Sequence, residues 1–224
     1  MTYVITDLHG MYDFYPKIKE RLKPEDKVYC LGDCTDRGHS GWRLLKAIID
    51  DPQFTLIKGN HEDMLYNAVR RNYSDYRLLN QNGGRVTYFD CIDDEKSDYY
   101  LDKIKALPFV INVTVNNKNF VLSHAGFTPY KNATDSLEES ELLWDRYHTH
   151  KTEKYPDEEE YDEDYIVIHG HTPIQHLINE DEEMKFEPYY YFDNQKICLD
   201  IGTYVTKKIL FFCLDNMTYE VIEL

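Results

Sequence analysis

Short apolar runs alternate with polar, glycine-bearing loops early in the chain, and each loop is followed by apolar residues at helical spacing. Tyr3–Thr6 ends at Asp7, and Met11, Phe14, Ile18 and Leu22 then recur along one helical face, which predicts a strand and then a helix over Met11–Leu22. The unit repeats as Lys27–Leu31, a Gly32–Gly38 loop and a helix over Gly41–Asp50. It repeats again as Phe54–Ile57, a Gly59–Glu62 loop and a helix beginning near Glu62. Such alternation predicts a mainly parallel sheet whose loops gather beyond the carboxyl ends of its strands. Asp7, Asp33 and Asn60 fall on those ends.

A polar helical stretch runs through Leu107, after which Phe109–Val115 and Asn119–Leu122 flank Asn116-Asn117 as a hairpin of a second sheet. Further strands are predicted at Tyr165–Ile168, Tyr189–Phe192, Lys196–Asp200, Lys208–Leu214 and Tyr219–Ile222. The fold class read from this order is α/β, a four-layer α/β/β/α sandwich of two mixed sheets. No linker or repeat divides the chain, so one domain is expected over residues 1–224. Glu153–Asp164 interrupts the pattern with eight acids and one lysine. Like charges at that density resist packing, which makes it a solvated insert, with substrate selection as the alternative reading.

Charge narrows the partners. Acids outnumber bases by 41 to 25 for a formal net charge of −16, a balance that repels nucleic-acid backbones. Five cysteines without paired spacing suit a reducing compartment. The start of the chain carries no basic, apolar leader, and no stretch could span a bilayer, so a cytoplasmic protein without membrane or nucleic-acid partners is expected.

The chemistry sits in four strings: Asp7-Leu8-His9-Gly10, Gly32-Asp33-Cys34-Thr35-Asp36-Arg37-Gly38, Gly59-Asn60-His61-Glu62 and His169-Gly170-His171-Thr172. Each lies where an apolar run turns polar, and together they supply carboxylate, imidazole and amide groups, the donors that hold a pair of hard divalent ions. No thiolate cluster suggests a structural zinc. Cys34 reads as packing, while His39, His148, His150 and His176 read as surface or loop residues.

These strings, with Gln81-Asn82-Gly83-Gly84, Leu107-Pro108-Phe109, Ser123-His124-Ala125-Gly126, Leu143-Trp144-Asp145-Arg146 and Gly170-His171-Thr172-Pro173, resemble the phosphoprotein phosphatase family of calcineurin-like metallophosphoesterases. The resemblance runs from about Tyr3 to Pro173 and is to the bacterial and phage branch, which includes protein phosphatases and symmetrical diadenosine tetraphosphatases. It implies two divalent metal ions, manganese first, with iron or zinc as alternatives. It implies Asp7 and His9 as ligands of the first ion, Asp33 as the carboxylate bridging both, and Asn60, His124 and His171 as ligands of the second. His169 lies outside this ligand set. The resemblance also implies His61 as the acid for the leaving group and Asp36 as its orienting partner. Arg37 and Arg146 become the guanidinium donors to the phosphoryl oxygens, a task their planar fork suits.

The expected activity is metal-dependent hydrolysis of phosphomonoesters by water, foremost on serine or threonine phosphoproteins. Symmetrical diadenosine tetraphosphate hydrolysis is the alternative, and a metal-free scaffold the third reading. Polyphosphate substrates fit an acidic protein less well, and no matched ligand position is lost, which disfavours the scaffold. Thr6 stands where the family often has glycine, a change a strand end tolerates.

Overall fold

The computed structural model describes residues 1–71, 73–126, 138–146, 164–178 and 185–224. The acidic insert falls almost wholly outside them, as do His148 and His150.

Strands β1 (Thr2–Ile5), β2 (Lys27–Cys30) and β3 (Phe54–Leu56) pair in parallel, with α1 (Phe14–Lys19) and α2 (Gly41–Asp50) between them. Helices α3 (Asn60–Arg70), α4 (Tyr73–Gln81), α5 (Arg85–Ile92) and α6 (Ser97–Lys105) follow. The antiparallel pair β4 (Val110–Val115) and β5 (Lys118–Ser123) opens a second sheet, and after α7 (Glu139–Trp144) the strands β6 (Tyr165–His169), β7 (Tyr189–Tyr191) and β8 (Lys196–Cys198) complete it. A short α8 (Thr203–Thr206) then leads into β9 (Lys208–Cys213) and β10 (Thr218–Glu223), which return to the first sheet.

The sheets read β10-β9-β1-β2-β3 and β4-β5-β6-β8-β7. Both are mixed, so the expected α/β sandwich of two mixed sheets is the fold, and the first sheet is parallel only across its first three strands. Alternation within each strand divides the core. Val4, Leu31, Phe212 and Leu210 meet Phe120, Leu122, Ile168 and Ile197 between the sheets. Ile5, Val28, Phe211 and Ile209 face the helices through Phe14, Leu44, Leu65 and Leu101.

Several strand ends shift by one or two residues from those predicted, and two helices differ for a reason the structure shows. The helix expected over Met11–Leu22 is confined to Phe14–Lys19. Pro16 lacks an N–H and is tolerated only in a first turn, so the helix cannot begin at Met11. Pro24 then keeps Lys23 out of helical conformation. The third helix begins at Asn60, two residues before Glu62, because the Glu62 carboxylate reaches back to the Gly59 amide at 3.0 Å and caps the first turn.

Candidate metal centre

The carboxyl ends of β1, β2 and β6 carry residues that L-amino acids seldom accommodate. Asp7, His9, Asp33, Asp36, Arg37 and His171 all adopt left-handed backbone, with φ between 42° and 66°. Each such residue costs on the order of 1–3 kcal/mol, and such strain clusters where function demands a fixed geometry. A lattice of hydrogen bonds holds it in place. The amides of Asp7, His9 and Gly10 donate to the carbonyls of Gly32, Asp33 and Cys34, and Gly38 donates back to His9.

One carboxylate organises the loops. Glu62 is fully buried and accepts from the amides of Asp33 (2.8 Å), Cys34 (2.9 Å), Thr35 (3.2 Å) and Gly59 (3.0 Å). Burial and the neighbouring Asp33 charge push its carboxyl up, and the Asp33 amide pulls against them. Motif reading gave Glu62 no role; its only sequence signal was an acid in the first turn of a helix that opens at a ligand loop. Gln81-Asn82-Gly83-Gly84 is a brace as well, since the Gly83 carbonyl accepts from the Arg37 amide at 3.0 Å.

Within this frame acceptor atoms converge. His9, Asp33 and His61 each offer one atom within 4.8 Å of the others, and Asp33, His124 and His171 do the same. Asp33 is common to both groups. His9 Nδ1 lies 3.3 Å from the Thr35 carbonyl and His124 Nδ1 lies 2.8 Å from that of Leu31. A carbonyl can only accept, so both imidazoles carry a proton on Nδ1 and turn Nε2 toward Asp33. His124 Nε2 sits 2.9 Å from Asn60 Oδ1, 3.1 Å from His171 Nδ1 and 3.4 Å from Asp33 Oδ1. Turned over, the Asn60 amide would instead donate to His124 and Asp33. His171 Nε2 is buried without a hydrogen-bond partner among the described residues. Asp7 commits Oδ2 to the His171 amide and the Thr6 hydroxyl, which leaves Oδ1 3.8 Å from His9 Nε2. This set of lone pairs from carboxylate, imidazole and amide fits hard or borderline divalent cations.

Electrostatics follow from crowding. Burial alone would raise Asp33, but the imidazoles of His124, His61, His9 and His171 surround it and hold its carboxyl far below the usual range. Burial pushes His9 and His171 well below the usual imidazole range. Burial, then the Asp33 charge, raise Asp7.

His61 stands apart by its partners. Its Nδ1 donates to Asp36 Oδ2 at 2.7 Å, and its Nε2 lies 3.3 Å from Arg37 Nη2 and 3.8 Å from Asp33 Oδ2. Burial opposes its charge, yet Asp33 and Asp36 prevail and raise its pKa. Arg37 is exposed at the rim. Arg146 Nη1 donates to the His171 carbonyl (3.2 Å) and the Thr172 hydroxyl (3.3 Å), which brings this arginine to the same turn.

Other residues lie where the sequence put them or add to it. Cys34 packs in the helix-side core, 3.5 Å from Cys30 Sγ. His39 and His176 are exposed. His169 belongs to neither group and bonds Tyr191. Asp200, just past β8, is a buried carboxylate that motif reading passed over. Its Oδ1 accepts from the Gly202 amide at 2.8 Å, and burial and the Asp7 charge push it well above the usual range. The available signal was an acid ending an apolar strand, as at Asp7 and Asp33.

The model of the family described as calcineurin-like phosphoesterase matches residues 2–212. Serine/threonine-protein phosphatase 2 of Escherichia coli (strain K12) is 31% identical over 156 residues, 63% of this chain and 66% of that protein. The symmetrical bis(5'-nucleosyl)-tetraphosphatase of Baumannia cicadellinicola subsp. Homalodisca coagulata is 28% identical over 144 residues, 61% of this chain and 46% of its own length. The chain thus spans just under two thirds of the first relative and about half of the second. A protein serine/threonine phosphatase structure from Saccharomyces cerevisiae covers all of this chain with a TM-score of 0.60 at 15% identity, over 79% of its own chain, which is a likeness of fold. No helix among the described residues is long and apolar enough to cross a membrane.

Proposed function

Because the chain belongs to the calcineurin-like phosphoesterase family, we propose that it hydrolyses phosphomonoesters with two divalent metal ions, foremost on serine or threonine phosphoproteins. The observation that carries this reading is the convergence of acceptor atoms in two groups that share Asp33. Asp7, His9 and Asp33 would hold one ion, and Asp33, Asn60, His124 and His171 the other, with manganese the first choice and iron or zinc compatible with the same donors. Bound there, the ions supply an activated water and the charge that polarises the phosphoryl oxygens.

The remaining residues act on the substrate. Arg37 and Arg146 bind the phosphoryl oxygens through guanidinium forks. His61 holds a proton at Nε2 for the departing alkoxide, and Asp36 fixes the ring by accepting from Nδ1. Names of relatives support both a phosphoprotein and a dinucleoside polyphosphate substrate. The net charge of −16 favours the first, since it repels a polyphosphate.

Elemental analysis and turnover assays test the reading together. Purified protein should carry two divalent ions per chain, and Asp33→Asn should lose most bound metal and nearly all turnover of a phosphothreonine peptide. Full activity after exhaustive chelation would overturn it.

A further inference from the structure

We propose that Tyr191 and His169 form a positioning relay that holds the Gly170-His171 turn in register with the ligand atoms of Asp33, Asn60 and His124. The inference rests on the metal-binding reading above and assigns work to two residues outside the ligand set.

The geometry dictates the direction of the relay. His169 is completely buried at the end of β6. Its Nδ1 lies 3.0 Å from the Gly170 carbonyl, which can only accept, so Nδ1 carries the proton. Nε2 is then an acceptor, and the Tyr191 hydroxyl, 2.6 Å away on the edge strand β7, donates to it. The ring is held between two fixed points, and one of them is the peptide that leads into His171.

That peptide has no slack. The Gly170 amide donates to the His124 carbonyl at 3.0 Å, and its carbonyl also accepts from Thr172 at 2.7 Å. A Cβ at Gly170 would stand 2.1 Å from both Asp7 Oδ2 and Thr6 Oγ1. The His171 amide donates to Asp7 Oδ2 at 3.0 Å from a left-handed backbone that nothing local favours. Rotation of the Gly170 carbonyl would therefore swing His171 away from His124. Tyr191 reaches this point from a strand remote in sequence, so the relay ties the edge of the second sheet to one half of the ligand set.

A role confined to fold stability predicts something different from a positioning role. We would titrate metal-free protein with Mn²⁺ by calorimetry and follow the two binding steps, alongside the melting temperature. Tyr191→Phe and His169→Leu should weaken one step by about 10–100-fold, as loss of partners behind metal ligands does, and leave the other within a few-fold. His169→Asn keeps a donor at the Nδ1 position and should recover most of the lost affinity. The relay is overturned if both steps stay at wild-type values in Tyr191→Phe, or if His169→Asn and His169→Leu weaken both steps equally in proportion to their melting temperatures. Wild-type protein that takes up no Mn²⁺ would overturn the metal-centre reading and the relay with it, whereas two steps that persist in Asp33→Asn would remove the ligand assignment alone.

Discussion

At the scale of the residue, His61 has the geometry of a metal ligand and the partners of an acid. Its Nε2 is 3.8 Å from Asp33 Oδ2, the same separation as His9 Nε2, but its Nδ1 is committed to Asp36. An acid matters most where the leaving oxygen is a strong base. His61→Asn should keep its metal and lose about 10²–10⁴-fold in kcat on a phosphoserine peptide, with a far smaller loss on p-nitrophenyl phosphate. Equal losses on both substrates, together with lost metal, would make His61 a ligand. Gly59 shows how tightly the loops approach: a Cβ there would stand 2.3 Å from Asp33 Oδ1 and 2.5 Å from the Asp33 amide. Its φ of −94° suits any residue, so the effect of Gly59→Ala is steric alone. We expect that variant to bind Mn²⁺ at least tenfold more weakly by calorimetry, because the displaced group is the carboxylate shared by both sets.

At the scale of the element, the helical layer is clamped by a charge that local pattern did not reveal. Asp94, beyond α5, accepts from Trp42 Nε1 of α2 at 2.8 Å, from the Lys96 amide at 2.8 Å, and from Lys46 Nζ. Lys46 first, then these amide and indole donors, lower its carboxyl to about 2. The folded value lies below the unfolded one of about 3.9, so the stabilisation is present above about pH 4 and is lost as pH falls toward about 2. Asp94→Asn should cost about 1–2 kcal/mol near neutral pH, and the gap in chemical-denaturation stability from wild type should narrow between about pH 4 and about pH 2. A gap independent of pH would mean that packing of Trp42 supplies the stability. The hairpin, by contrast, was legible: Asn116 and Asn117 both have positive φ, the geometry a two-residue turn between right-twisted strands requires. Helix edges were less so, because Pro16 and Glu62 set them through backbone valence and a long side-chain reach.

At the scale of the whole molecule, a net charge of −16 surrounds a site proposed to take anionic substrates. Exposed charge acts over about 8 Å at physiological ionic strength and about 3 Å at 1 M. Turnover of diadenosine tetraphosphate relative to a phosphopeptide with basic flanks should therefore rise as salt increases from about 0.05 M to about 1 M. Neutralising Asp157, Glu158, Glu159 and Glu160 should flatten that dependence. An unchanged slope would return the insert to the role of a solvated loop. What the sequence determined by itself was the kind of chemistry and its address. An acid, imidazole or amide that ends an apolar run must emerge at the carboxyl edge of its strand, as Asp7, Asp33, Asn60 and His171 do. Only the tertiary structure decided which atoms meet. His124 follows β5 and Asn60 follows β3, in different sheets, yet their side chains lie 2.9 Å apart. Glu62, Asp200 and the His169–Tyr191 pair owe their roles to sheet order and to contacts across it, and periodicity along a chain encodes the face a residue takes, never the partner that waits there.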